Sequence, residues 1–196
     1  METLRSGSYN LKKFPHVYLM FSFYSDPVII KNVITESECE FLINYEAPFL
    51  KNRFGDNLEG DDIISFNKRI PKCEHTAKQI IRKCSTIIHL PYENFEDLNV
   101  VKYEKGGFIA EHQDLNPTHI NFRMYTFILC LKDTYEGGDT HFTKLNKSFK
   151  LRKGDALMFK NVDSDGHITE LSQHEGKIVK SGEKWICNVW CRKSTY

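Results

Sequence analysis

The segment His112-Gln113-Asp114 carries the chemistry most open to reading. On a strand, alternate side chains share a face, so an imidazole and a carboxylate project together. That pair supplies two of the three ligands of a 2-His-1-carboxylate facial triad, which leaves coordination positions open on a non-haem iron. Alone the pattern says little. With 8 His and 26 Asp+Glu in 196 residues, chance supplies about one His-x-acid pair. A third ligand must come from another strand, and His141, His167 and His174 all compete by spacing. Ten residues after His174 stands Lys184. A lysine facing inward on that strand is suited to bind a carboxylate, because a buried ammonium is costly without an anion.

The elements that must position these groups fall into two regions. In residues 1–96, Val17 to Phe21 and Val28-Ile29-Ile30 read as strands. Thr35-Glu36-Ser37-Glu38 reads as a capping box opening a helix through Cys39, Leu42 and Ile43, with Pro48 beyond its end. Residues 51–62 are polar and read as a loop, and a second helix is expected from Glu74 to about Ile88, burying Ala77, Ile80, Ile81 and Cys84. From Asp97 onward, short β-rich runs alternate with turn signals at Lys105-Gly106-Gly107, Asn116-Pro117, Glu136-Gly137-Gly138, Lys153-Gly154-Asp155, Asp165-Gly166 and Ser181-Gly182. Such spacing indicates an antiparallel sandwich or barrel. Phe122 to Leu131 is apolar on both faces, as a central strand would be. The expectation is one domain over 1–196, α+β but mainly β, with helices outside a double-sheet core over 97–196.

Composition narrows the partners. Lys+Arg 27 against Asp+Glu 26 gives a formal net charge of +1, so no global field favours nucleic acid or an anionic membrane. No stretch approaches the roughly 18 apolar residues of a spanning helix. The run Val17 to Phe21 is short for a signal core and lacks a small-residue cleavage site. Cys39, Cys73, Cys84, Cys130, Cys187 and Cys191 form no CxxC pair, which suits reduced thiols in a cytoplasmic protein.

Read end to end, the chain resembles the prolyl 4-hydroxylase catalytic-domain family of Fe(II)/2-oxoglutarate-dependent oxygenases. The family's Tyr and Gly turn before the first ligand match Tyr103 to Phe108, and its His-x-Asp matches His112 and Asp114. The Arg and Thr of the next strand match Arg123 and Thr126. The Gly-Gly-x-Thr-x-Phe turn matches Gly137, Gly138, Thr140 and Phe142, and Gly154 to Phe159 follow as Gly-Asp-Ala-Leu-x-Phe. The distal His and the Lys ten residues on match His174 and Lys184, followed by Trp185 and Trp190-Cys191-Arg192.

The resemblance implies a double-stranded β-helix (jelly roll). It makes Fe(II), 2-oxoglutarate, O2 and ascorbate the cofactors, with His112, Asp114 and His174 on the metal. Lys184 would hold the far carboxylate of 2-oxoglutarate, aided by the hydroxyls of Tyr103 and Thr126. Arg123 and Trp190 are weaker candidates for a substrate groove. The implied reaction hydroxylates a peptidyl proline and releases succinate and CO2. A lysyl residue, a free amino acid, an alkylated nucleobase or a non-catalytic binding module are the alternatives. Lys184, where nucleobase demethylases of this fold usually use Arg, speaks against the nucleobase. The family's Arg-x-Ser element near substrate has no obvious counterpart in Asp61 to Arg69, which leaves the substrate open. The polar segments 51–72 and 161–172 are candidates to close over a peptide.

Overall fold

A computed structural model describes residues 23–51, 65–115 and 120–196. The expected strand at Val17 to Phe21 and the Asn116-Pro117 turn lie outside the described residues. The chain is mostly β, and its sheets are antiparallel. The larger sheet runs β1 (Val28–Ile30), β10 (Ala156–Lys160), β6 (Arg123–Lys132), β13 (Lys184–Arg192), β4 (Leu98–Tyr103), β3 (Ser65–Ile70) and β2 (Leu50–Lys51). A smaller sheet runs β5 (Ile109–His112), β11 (His174–Gly176), β8 (Thr140–Phe142) and β9 (Lys147–Phe149). A third pairs β12 (Val179–Gly182) with β7 (Tyr135–Gly137).

Period-two alternation sorts the large sheet's side chains onto two faces. Phe127, Leu129 and Leu131 of β6 and Cys187, Val189 and Cys191 of β13 share one apolar cluster with Cys39, Leu42, Ala77, Ile80 and Ile81. Ile128, Cys130, Ile186, Leu157 and Phe159 turn the other way and cluster with Phe142 of the smaller sheet. The polar residues of the site interrupt this second face.

Two helices contribute to the first cluster. In α1 (Glu36–Asn44) the capping box is reciprocal: Glu38 N–H donates to Thr35 Oγ1 at 3.2 Å, and Thr35 N–H donates to Glu38 Oε2 at 2.7 Å. Glu38 also takes the Lys83 ammonium of α2 (His75–Ile88) at 2.6 Å, tying the helices together. Glu74, expected to open α2, is instead its N-cap and accepts from Ala77 N–H at 2.9 Å.

Two expectations shift. Glu136-Gly137 was expected to be pure turn, yet residues 135–137 form β7, because their backbone groups find β12 across a register shift. The polar segment 51–72 is not a loop throughout. Residues 52–64 lie outside the described residues, but Ser65 to Ile70 pair along all of β4, a regularity hidden by the sequence Ser-Phe-Asn-Lys-Arg-Ile.

Lys68 in β3 looks like a surface lysine and is 2% exposed. Its ammonium donates to the carbonyls of Ile43 and Tyr45 at 2.7 Å each, where α1 ends without a basic residue in its last turn. Lys68→Met keeps the stem but leaves two carbonyls without their donor. Each buried unmet group costs about 1–3 kcal/mol, so the urea midpoint should fall with an unchanged slope. An unchanged midpoint would show that these bonds are replaced by water at no cost.

Candidate metal and co-substrate site

The structure brings His112, Asp114 and His174 together, with one ligand atom from each within 4.8 Å of the others. Cross-strand register does this. His174 of β11 pairs directly with His112 of β5, so both imidazoles share a face with ring centroids 4.4 Å apart. Asp114 follows two residues beyond His112, where the strand has ended. His174 is 3% exposed, stacked on Phe142 and met edge-on by Phe159.

Both imidazoles are oriented the same way. Nδ1 of His112 lies 2.8 Å from the Ala110 carbonyl, and Nδ1 of His174 lies 2.9 Å from the Ser172 carbonyl. A carbonyl only accepts, so each Nδ1 carries the proton, which makes Nε2 the metal-ligating atom of each ring; that of His112 lies 3.7 Å from Asp114 Oδ1. Thr126 Oγ1–H donates to Asp114 Oδ2 at 2.8 Å, and Asn161 Nδ2 donates to Thr126 Oγ1 at 3.1 Å. Thus the Thr126 hydroxyl, read from the sequence as a co-substrate contact, is spent on the Asp114 carboxylate.

Electrostatics prepares these ligands unequally. Burial opposes charge on Asp114, but hydrogen bonding with His112 and the nearby His174 hold its carboxyl far below the ordinary range. Burial pushes His174 down to about 4. His112 goes up, because its contact with Asp114 outweighs burial. Near neutral pH, Asp114 is ionised and His174 neutral, so His112 is the ligand at which a proton competes best with a metal. Acidification through the pKa of His112 should weaken Mn(II) binding about tenfold per pH unit. Titrations of Mn(II) by electron paramagnetic resonance would read this slope, and a two-proton slope or none would contradict it.

Lys184 reaches the same cavity from β13. It is 5% exposed, and its ammonium donates to the Gly138 carbonyl at 2.6 Å and sits 5.3 Å from the Tyr103 ring centroid. Among the described residues no carboxylate pairs with it, and burial lowers its pKa to about 8. Gly138 permits the approach: its φ is +66°, and a Cβ there would meet Lys184 Cδ at 3.2 Å and Tyr135 Cε2 at 3.1 Å. Tyr103, Ile109, Ile128, Thr140, Gly176, Ile186 and Asn188 complete the walls. The Tyr103 hydroxyl stays protonated, since burial and then the Asp114 charge raise its pKa.

Arg123 is committed within the protein. Its Nε and Nη2 donate to the two oxygens of Glu96 at 2.6 and 2.9 Å, and Nη1 donates to the Asp114 carbonyl at 2.9 Å. It therefore braces a ligand's backbone. Glu96, 2% exposed, also lies 2.9 Å from Arg192 Nε, off the hydrogen-bonding angle, and 3.9 Å from Arg69. Trp190, 6% exposed, lies under the Arg123 guanidinium at 3.6 Å, and its indole N–H has no partner. Gln113 turns away from the metal ligands and donates to the Thr169 carbonyl at 2.7 Å and Ser172 Oγ at 3.1 Å, fastening the segment that leads into His174. Sequence reasoning missed Glu96 and Gln113; the position of Gln113 between two ligands was the available signal. The competing histidines fall elsewhere: His141 bonds Ser148 Oγ at 2.8 Å, and the His167 side chain is 78% exposed.

The family model of the 2OG-Fe(II) oxygenase superfamily matches residues 98–192, which include every residue of this cavity. Over those residues, just under half of its length, the chain is similar to the 2OG-Fe(II) oxygenase superfamily. The chain is also similar to proteins named as prolyl 4-hydroxylases. It is 29% identical over 189 residues to a putative prolyl 4-hydroxylase of Acanthamoeba polyphaga mimivirus, covering 88% of this chain and 76% of that one. It is 28% identical to prolyl 4-hydroxylase 1 of Arabidopsis thaliana, covering 85% and 68%. Among solved structures, the viral collagen prolyl hydroxylase vCPH of Paramecium Bursaria Chlorella virus-1, as its 2OG complex, superposes with a TM-score of 0.70 at 26% identity, covering 86% of this chain and 96% of that one. These likenesses support a 2-oxoglutarate-dependent dioxygenase.

Proposed function

We propose that this protein is a single-domain jelly-roll oxygenase that hydroxylates a prolyl residue of a peptide, consuming 2-oxoglutarate and O2 and releasing succinate and CO2. The observation that carries the reading is one cavity holding two neutral-capable imidazoles, one carboxylate and, opposite them, a buried ammonium with no anionic partner among the described residues. The donor set suits Fe(II): two imidazole nitrogens and one carboxylate oxygen on one side leave the other side open. Bound there, the metal supplies the activation of O2 that oxidises both 2-oxoglutarate and the substrate C–H bond.

The chain's own residues bind, orient and exclude. His112, Asp114 and His174 hold the metal, and their main-chain and Thr126 hydrogen bonds fix the direction of each donor. Lys184 meets the far carboxylate of 2-oxoglutarate, removing the cost of its own burial. Tyr103 offers a protonated hydroxyl beside it, and Ile128 and Ile186 flank the space between, keeping water from the reacting region. Trp190 offers an unpartnered indole N–H on the same face of β13. The prolyl substrate is supported by the names of the viral and plant relatives and of the vCPH structure.

The test is succinate release from 2-oxoglutarate with Fe(II), ascorbate as reductant and a panel of proline-rich peptides. Peptide-stimulated release, with one oxygen atom's mass gained on a proline, is the expected result. Release that no peptide stimulates would retain the oxygenase and discard the prolyl substrate.

A further inference from the structure

On the site-facing side of the large sheet, one cross-strand row runs Arg69, Asn99, Asn188 and Ile128 through β3, β4, β13 and β6. Residues directly opposite in antiparallel strands point to the same face. Asn188 lines the cavity of the metal ligands and Lys184. Asn99, next to it, is 6% exposed, and its Oδ1 has no hydrogen-bond partner. An orphaned buried amide oxygen is costly, and an apolar side chain of the same shape would avoid that cost. The row's far end, Arg69, is half-exposed, so it leads from the β3 side of the sheet toward the metal.

We infer that Asn99 and Asn188 form an amide pair that grips the main chain of the peptide substrate at the metal cavity. This rests on the peptide reading above and names how that site holds its substrate. Two neutral primary amides match another amide: each offers two N–H donors and one carbonyl acceptor, and neither brings charge. A prolyl residue has a carbonyl and no N–H, so an Asn Nδ2 must donate to it. The residue following the proline supplies the N–H that an Asn Oδ1 accepts. The far carboxylate of 2-oxoglutarate is directed elsewhere. Lys184 lies four residues back along β13 from Asn188, roughly 13 Å by strand rise.

The experiment measures steady-state constants with a collagen-like peptide of Pro-Pro-Gly repeats. Asn188→Ala should raise the peptide KM about tenfold and leave the 2-oxoglutarate KM and Mn(II) affinity of the wild type. Asn99→Leu should raise the peptide KM while unfolding at no lower temperature than the wild type, a combination that a purely structural asparagine would not give. Replacing the glycine N–H after the target proline by an ester oxygen should weaken the wild type and leave Asn99→Leu, which lacks the accepting Oδ1, little changed. A peptide KM unmoved by both substitutions, or a shift confined to the 2-oxoglutarate KM, overturns the inference while the prolyl reading stands. A wild type that turns over no proline peptide overturns both.

Discussion

His174→Ala should abolish turnover and reduce Mn(II) affinity by at least about a hundredfold. Losing one of three ligands leaves His112 and Asp114, and even loss of a residue that only orients a metal ligand costs about 10–100-fold. Because His174 packs between Phe142 and Phe159, the alanine variant also opens a small cavity and will be less stable. His174→Gln, which fills more of that space, separates the effects: it should regain much of the lost thermal stability and none of the activity. Metal titration and succinate release on both variants decide the matter. Full turnover in either would move the third ligand elsewhere.

Lys184→Met should raise the KM for 2-oxoglutarate by about two orders of magnitude, as truncating one partner of a buried charge pair costs about 2–5 kcal/mol. Methionine keeps the stem's volume, so the loss reports the charge. The wild type carries a second signature. Burial lowers the Lys184 pKa to about 8, and the dianion binds the protonated form. As pH rises through about 8, the free enzyme loses that proton and the KM for 2-oxoglutarate should climb. The bound anion holds the proton on, so turnover at saturation should stay flat over the same range. Lys184→Met should show a high KM with no inflection there. A wild-type KM constant from pH 7 to 9 would count against Lys184 as the carboxylate's partner.

Much of this architecture could be read from short-range signals. The Thr35–Glu38 capping box and the α2 stripe are local patterns, and local hydrogen bonding and burial produce them. The metal ligands were legible in part: His112 and Asp114 by their spacing, and His174 only through the ordered motifs of a family. Spacing could not separate His174 from His141 and His167, because the choice depends on the β11–β5 register, which no local window contains. Glu96 stayed hidden for the same reason. Its partners Arg123 and Arg192 are 27 and 96 residues away in sequence, and a lone glutamate before a strand carries no mark of burial. Lys68 was hidden by type, since a lysine is read as solvated until an uncapped helix end is brought to it by folding.

The main-chain bonds that aim the two histidines have an evolutionary consequence. Each Nδ1 is held by the carbonyl of the residue two places earlier, Ala110 or Ser172. Substitution at those positions changes a side chain and leaves the carbonyl in place. The aim of these ligands is therefore inherited with the backbone, and it is insulated from drift in the neighbouring letters. Relatives that differ from this chain at about seven positions in ten could preserve the same pair of donors without preserving anything around them.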